Sequence, residues 1–218
     1  MNAVLLDLDG TLVDTEPYWV ESQRLLAERF SVDWTPDDEL ALIGHSMSYA
    51  AHKLISSGVK LTKHEVIDFR LAHVISRLEQ HIPWQPGAQK LLQELRENDV
   101  PCALVTMSPR SMASAVISAL PAAQFDATVT GSDCVNGKPH PEPYLRAMSL
   151  LGTSPERAIA VEDSNPGVQS AENAGLNVLV VPGPVPVPEG PLRTKVNSLE
   201  DVDLAGLRRL LPELLRRN

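Results

Sequence analysis

The sequence predicts an α/β protein: a parallel sheet covered on both faces by helices, with an α-helical bundle inserted after the first strand. Three observations predict it. The apolar run Val4-Leu5-Leu6 leads into Asp7-Leu8-Asp9-Gly10, which reads as a buried strand of a parallel sheet ending in turn chemistry. Residues 16–84 then carry helical periodicity without a convincing strand. From Ala88 onward, helical and strand patterns alternate, as parallel strands joined by helical crossovers require.

The elements follow in order. From Thr15 to Phe30, apolar Trp19, Leu25, Leu26 and Phe30 recur at helical spacing, with Pro17 near the start. After a break at residues 31–36 come a helical stretch over 37–43, the turn-like Gly44-His45-Ser46, a segment through Ser57, and an amphipathic stretch from Thr62 to His81. These predict an antiparallel helical domain over residues 16–84, with residues 1–15 and 85–218 forming the α/β core. Pro83-Trp84-Gln85-Pro86-Gly87 is the punctuated linker between them. In the second part the pattern predicts helices over 88–97, 108–120, 141–151 and 166–174, and strands over 101–106, 127–130, 158–162 and 178–181. Proline-rich residues 181–191 predict an extended surface loop. Leucines at helical spacing predict a closing helix over 199–217, bent or restarted at Pro212.

Bulk composition bounds the function. The chain has 218 residues, 43% hydrophobic and 22% charged, which suits a soluble globular protein of one elaborated domain or two small ones. No apolar run approaches bilayer-spanning length, so no membrane role is expected. The chain enters its first strand with no basic region ahead of an apolar segment, which predicts no secretory signal and a cytoplasmic location. A net charge of −9 argues against nucleic-acid binding, and an anionic ligand would need a local cation and local lysines. Cys102 and Cys134 lack metal-ligand spacing, and Cys102 lies in an apolar run that predicts a buried, reduced thiol. The histidines show no zinc-site spacing.

In open parallel sheets, ligands bind beyond the carboxyl ends of the strands. The first strand delivers Asp7 and Asp9, two apart, so on an extended backbone both carboxylates point the same way. Like charges that close suit a hard cation such as Mg²⁺, a carboxylate nucleophile, or both. Gly10 permits the sharp turn that follows. The second strand delivers Thr106, Met107 and Ser108 just ahead of a helix, an arrangement that suits an anion, although Ser108 also reads as an ordinary N-cap. The next loop delivers Lys138, held between Gly137 and Pro139. The following strand ends in Glu162, Asp163 and Ser164. Two acidic strand ends with an intervening lysine make a carboxylate cage for Mg²⁺ beside a phosphate-neutralising cation.

These stretches resemble the haloacid dehalogenase superfamily of phosphohydrolases, in the branch with a helical cap inserted after the first strand. The matching residues are Asp7-Leu8-Asp9-Gly10-Thr11-Leu12-Val13-Asp14-Thr15-Glu16, Thr106, Lys138-Pro139-His140-Pro141, Val161-Glu162-Asp163-Ser164, Gly167 and Ala174-Gly175. They occur in the family's order over nearly the whole chain. The resemblance implies a Rossmann-like core and a Mg²⁺-dependent phosphatase of a small phosphorylated metabolite. Asp7 would be the nucleophile forming an aspartyl-phosphate, and Asp9 the general acid and then base. Mg²⁺ would be held by Asp7, the main-chain carbonyl of Asp9 and Asp163, with Glu162 a water-mediated ligand or a surface carboxylate. Lys138 would neutralise the phosphoryl group and hold Asp7, while Thr106 and the Met107 N–H would bind phosphoryl oxygens.

Within that superfamily, Asp9 argues against a dehalogenase, which has no alkoxide to protonate. The β-phosphoglucomutase branch carries a histidine where Trp19 stands and a phosphate-binding arginine where Met47 stands, and neither residue here can make those contacts. Glu16-Pro17-Tyr18-Trp19 is similar to the Glu-Pro-x-Trp of sugar-phosphate phosphatases. Glu16, Trp19, His45, Ser46 and Met47 are the candidates for substrate choice in the cap, which would close over the site and act without a partner subunit, as a monomer. A phosphotransferase of the mutase type and a non-catalytic phosphate-binding module are the alternatives.

Overall fold

The computed structural model describes residues 3–121 and 124–210. The chain divides into two compact units, one formed by Met1–Asp14 with Trp84–Asn218 and the other by Thr15–Pro83.

The first unit opens with β1 (Ala3–Leu6), buried at all four positions. The second unit follows with α1 (Glu16–Arg29), α2 (Pro36–Leu40), α3 (Met47–Ser56) and α4 (Lys63–Gln80). The chain returns to the first unit through α5 (Ala88–Glu97), β2 (Cys102–Val105), α6 (Arg110–Ser118), β3 (Ala127–Val129), α7 (Glu142–Leu151), β4 (Ala158–Glu162), α8 (Asn165–Asn173), β5 (Asn177–Val180), β6 (Arg193–Lys195) and α9 (Leu204–Arg209).

The six strands form one sheet in the order β3-β2-β1-β4-β5-β6, with every pairing parallel. The most apolar strands lie in the middle, as a sheet buried on both faces demands. Leu5, Ala103, Val105, Ala160 and Val180 on the strands pack with Tyr144, Ala147 and Val168 of the helices in one core. Register decides what the sheet presents at its C-terminal edge. Leu6 pairs with Leu104 on one side and Val161 on the other, so Asp7, Val105 and Glu162 come next in line on three neighbouring strands.

Where the two chain crossings leave this unit, backbone bonds stitch them together. Val13 bridges Trp84, Gln85 N–H donates to the Leu12 carbonyl at 2.9 Å, and the Gln85 side-chain amide donates to the Gly10 carbonyl at 3.0 Å.

In the helical unit, α4 buries Val66, Arg70, Val74 and Leu78 at four-residue spacing, one stripe of a regular helix. Leu26, Ala51, Leu54, Val59 and Val66 form its core. Local chemistry starts the helices. Thr62 and Glu65 make a reciprocal capping box on α4, as Thr35 and Asp38 do on α2.

Three expectations are corrected. The helix expected from Ser108 begins at Arg110 with Pro109 at its cap position, because Ser108 is engaged elsewhere. The sheet gains a strand, β6, that hydrophobic patterning could not show: its residues are Arg-Thr-Lys, at an edge, tied down by paired bonds of 2.8 and 2.6 Å from the Arg193 guanidinium to Glu172 of α8. The closing helix is broken at its start, since Leu199–Asp201 is a separate 3₁₀ turn and Asp203 caps α9. Its expected continuation to Arg217, with the bend at Pro212, lies outside the described residues. Cys102 is buried, its thiol 3.0 Å from the Gln124 carbonyl, and burial pushes it up to about 12. No helix among the described residues is long and apolar enough to cross a membrane.

Because Thr62 satisfies a free N–H at the start of the longest helix of its unit, Thr62→Ala is expected to lower the unfolding free energy by about 1 kcal/mol in urea titrations, with Thr62→Ser retaining most of it.

Candidate active site

The site is built where β1, β2 and β4 end side by side. Asp7 leaves β1 with its N–H donating to the Val161 carbonyl at 3.1 Å, which fixes it against β4. The chain then turns at Gly10, whose φ is +85° and whose Cβ position is filled by the Asp163 carboxylate, so only glycine fits. The turn is closed by the Gly10 N–H on the Val13 carbonyl at 2.8 Å and the Leu12 N–H on the Leu8 carbonyl at 2.9 Å.

Lys138 reaches this edge from the loop between β3 and α7. Its ammonium donates to Asp7 Oδ1 at 2.6 Å, to Glu162 Oε1 at 2.6 Å and to the Val105 carbonyl at 2.9 Å. These are the three groups that the sheet register lines up. Burial alone would push the Lys138 ammonium down, but Asp7 and then Glu162 outweigh it and hold it above its ordinary value. The loop carrying Lys138 is itself braced. Glu142 accepts from the Val135 and Asn136 N–H groups at 2.7 and 2.9 Å, and Ser170 and Asn173 of α8 donate to the His140 and Pro139 carbonyls.

Asp7 and Asp9 have different partners. Asp9 Oδ2 accepts from Ser108 Oγ at 2.6 Å and from Thr106 Oγ1 at 3.2 Å. Thr106 Oγ1 in turn accepts the Ser108 N–H at 3.0 Å. Ser108 is thus no N-cap; its hydroxyl faces Asp9. The Met107 sulfur lies against the Lys138 loop and accepts the Lys138 main-chain N–H at 3.4 Å.

Asp7, Glu162 and Asp163 are all buried, and each offers a carboxylate oxygen within 4.8 Å of the others. Glu162 is fully buried, which removes the surface-carboxylate reading. Its two oxygens also accept from Tyr144 at 2.7 Å and Ser164 at 3.2 Å. Among the described residues, Asp163 receives a single long contact, 3.4 Å, from Thr11 Oγ1. Burial, then Asp7 and Glu162, push the Asp163 carboxyl up to about 8. One ammonium against this many buried acids leaves negative charge uncompensated, and an all-oxygen donor set of this kind fits a hard divalent cation such as Mg²⁺.

Two participants, and a buried cation of the helical unit, carry no signal in the sequence pattern. Tyr144 reads as a core aromatic of an amphipathic helix. Gly183, after β5, lets the backbone lie on Asp163, where a Cβ would collide with the Asp163 carbonyl. Arg70 sits in the buried stripe of α4. Its guanidinium donates to Ser22 Oγ at 3.0 Å and lies 5.2 Å from the Trp19 ring centre. Burial lowers it to about 10, with Glu16 opposing. Two of the expected substrate-selecting residues, Glu16 and Trp19, therefore gather around Arg70 within the helical unit. Another of them, His45, stacks on exposed Tyr49 with ring centres 4.2 Å apart.

Comparison with known proteins identifies the family and the fold. Residues 4–181 match the family described as haloacid dehalogenase-like hydrolase. The chain is 32% identical over 201 residues to hexitol phosphatase A of Escherichia coli, covering 91% of each. It is 31% identical over 182 residues to a phosphorylated carbohydrates phosphatase of Thermotoga maritima, covering 81% of this chain and 82% of that one. The fold superposes on CbbY of Rhodobacter sphaeroides, solved in complex with phosphate, with a TM-score of 0.80 at 24% identity, over 95% and 99% of the two chains.

The raised Asp163 carboxyl sets a pH dependence. The folded chain holds that proton up to about 8 and the unfolded chain only to about 3.8, so the associated stability is full below pH 4 and lost as pH rises through 8. In chelator, thermal unfolding is expected to show stability falling across this window, with a flatter profile in Asp163→Asn and recovery on adding Mg²⁺ at pH 8.

Proposed function

The chain belongs to the haloacid dehalogenase-like hydrolase family, and we propose that within it the protein is a Mg²⁺-dependent phosphatase of a small phosphate monoester, a sugar phosphate or similar metabolite, acting through an aspartyl-phosphate. The observation that carries this reading is the buried Lys138 ammonium at 2.6 Å from Asp7, with Asp9 held separately by hydroxyls. One carboxylate is oriented to attack and the other is kept for protons. The carbohydrate-phosphate phosphatases among the relatives support the substrate class.

In this reading Asp7 attacks phosphorus, the ester P–O bond breaks, and Asp9 gives its proton to the leaving alkoxide. Water then attacks the phosphorus of the aspartyl-phosphate, Asp9 takes its proton, and phosphate leaves with Asp7 regenerated. Lys138 orients Asp7 and offsets charge on the phosphoryl oxygens, which also take a hydrogen bond from the Met107 N–H and, once they turn from Asp9 to the bound substrate, from the Thr106 and Ser108 hydroxyls. Gly10 keeps the turn beside them free of a side chain. Mg²⁺ would be held by Asp7, the Asp9 carbonyl and Asp163, and when bound it would supply positive charge to the phosphoryl group. Glu16, Trp19 and His45 are assigned to substrate choice.

The test is hydrolysis of p-nitrophenyl phosphate with Mg²⁺. The wild-type protein is expected to turn over, and Asp7→Asn to lose at least about a thousandfold in rate. No hydrolysis, or full turnover by Asp7→Asn, would overturn the reading. So would conversion of β-glucose 1-phosphate to glucose 6-phosphate in place of phosphate release.

A further inference from the structure

The three carboxylates of the cluster are near enough to one another to share one cation, yet they are not equally available to it. We propose that Tyr144 is a positioning residue that commits Glu162 to Lys138 and keeps it from serving as a metal ligand, so that Asp7 and Asp163 alone supply the metal's carboxylates. This inference rests on the metal-dependent reading above.

Hydrogen bonding separates the acids. Glu162 Oε1 accepts from Lys138 Nζ at 2.6 Å and from the Tyr144 hydroxyl at 2.7 Å. Glu162 Oε2 accepts from Ser164 Oγ at 3.2 Å and is pressed against Gly167, where any Cβ would overlap the carboxylate. Both oxygens are therefore engaged and the group is boxed in on its far side. Among the described residues, Asp163 has no such set, only the long contact from Thr11. A carboxylate already satisfied by several donors gains less from a cation than one that is not.

Tyr144 is suited to hold Glu162 there. It is fully buried in the core between α7 and the sheet, so its hydroxyl must find a partner within the protein. Burial and the neighbouring acids keep that hydroxyl protonated, well above its ordinary range. It is therefore a permanent donor. Its ring also lies 5.4 Å from Lys138 Nζ. Lys138 and Tyr144 arrive on the same segment, six residues apart, and close on one oxygen of Glu162 together. A phenylalanine would fill the same space and remove only the donor.

The experiment is a direct Mn²⁺ titration, followed by electron paramagnetic resonance, of the wild-type chain, Tyr144→Phe and Tyr144→Phe/Glu162→Gln, with folding checked by circular dichroism. Tyr144→Phe leaves Glu162 with one donor fewer and more charge to offer, so Mn²⁺ is expected to bind about threefold more tightly or better. The same variant is expected to lose about tenfold in kcat, with KM little changed, as Lys138 loses its fixed counter-ion. Adding Glu162→Gln should abolish the tightening. Unchanged or weaker Mn²⁺ binding by Tyr144→Phe would overturn the inference while leaving the metal-dependent reading intact. If Tyr144→Phe does not fold, Glu162→Asp, which withdraws the carboxylate from the tyrosine, must tighten Mn²⁺ binding in its place, and failure to do so overturns the inference. Absence of Mn²⁺ binding by the wild-type chain would overturn both.

Discussion

The Lys138 ammonium is bonded within a group of buried carboxylates, and it touches three neighbouring strand ends at once: Asp7 after β1, the Val105 carbonyl at the end of β2, and Glu162 at the end of β4. The sheet register brings these acceptors into line, and the lysine compensates what the register creates. Removing one partner of such a buried set is strongly unfavourable, because the charges left behind have neither water nor counter-ion. Sheet and site therefore depend on each other. The strands cannot bury Asp7 and Glu162 without Lys138, and Lys138 cannot stay charged in the interior without them.

The remaining polar residues arrange themselves around that contact. With Asp7 held by Lys138, the turn at Gly10 sends Asp9 to a separate pair of hydroxyls, Thr106 and Ser108. With Glu162 also held by Lys138, Asp163 is left with little hydrogen bonding and a raised carboxyl. Four acids within a short span thus acquire four environments from one ammonium, two hydroxyls, a tyrosine and a glycine turn. Differences of environment of this kind let chemically identical groups take different tasks in one reaction.

Much of this was legible in the sequence, for physical reasons. Buried parallel strands must be short and apolar, so β1, β2 and β4 declare themselves, and whatever polar residue follows each one stands at the ligand-binding edge. The strand-end pattern points to Asp7, Asp9, Thr106, Lys138, Glu162 and Asp163. Groups whose role arises only in three dimensions leave no such pattern. Tyr144 obeys the helical apolar pattern while its hydroxyl does polar chemistry. Ser108 stands where an N-cap would stand, and only the turn that brings Asp9 to it shows otherwise. Arg70 occupies a stripe position that periodicity reserves for an apolar residue, and β6 is an edge strand of polar residues held by a salt bridge rather than by burial.

In the proposed reaction the Asp7 carboxylate, fixed by Lys138, is the one that carries the phosphoryl group. The most direct measurement is to quench the Mg²⁺-loaded protein during turnover of a phosphate monoester, reduce any acyl phosphate with borohydride, and map the reduced residue by tandem mass spectrometry. Conversion of Asp7 to homoserine is expected, dependent on substrate and lost on prior chelation. Reduction at Asp9, at Asp163 or at no aspartate while phosphate is being released would contradict it.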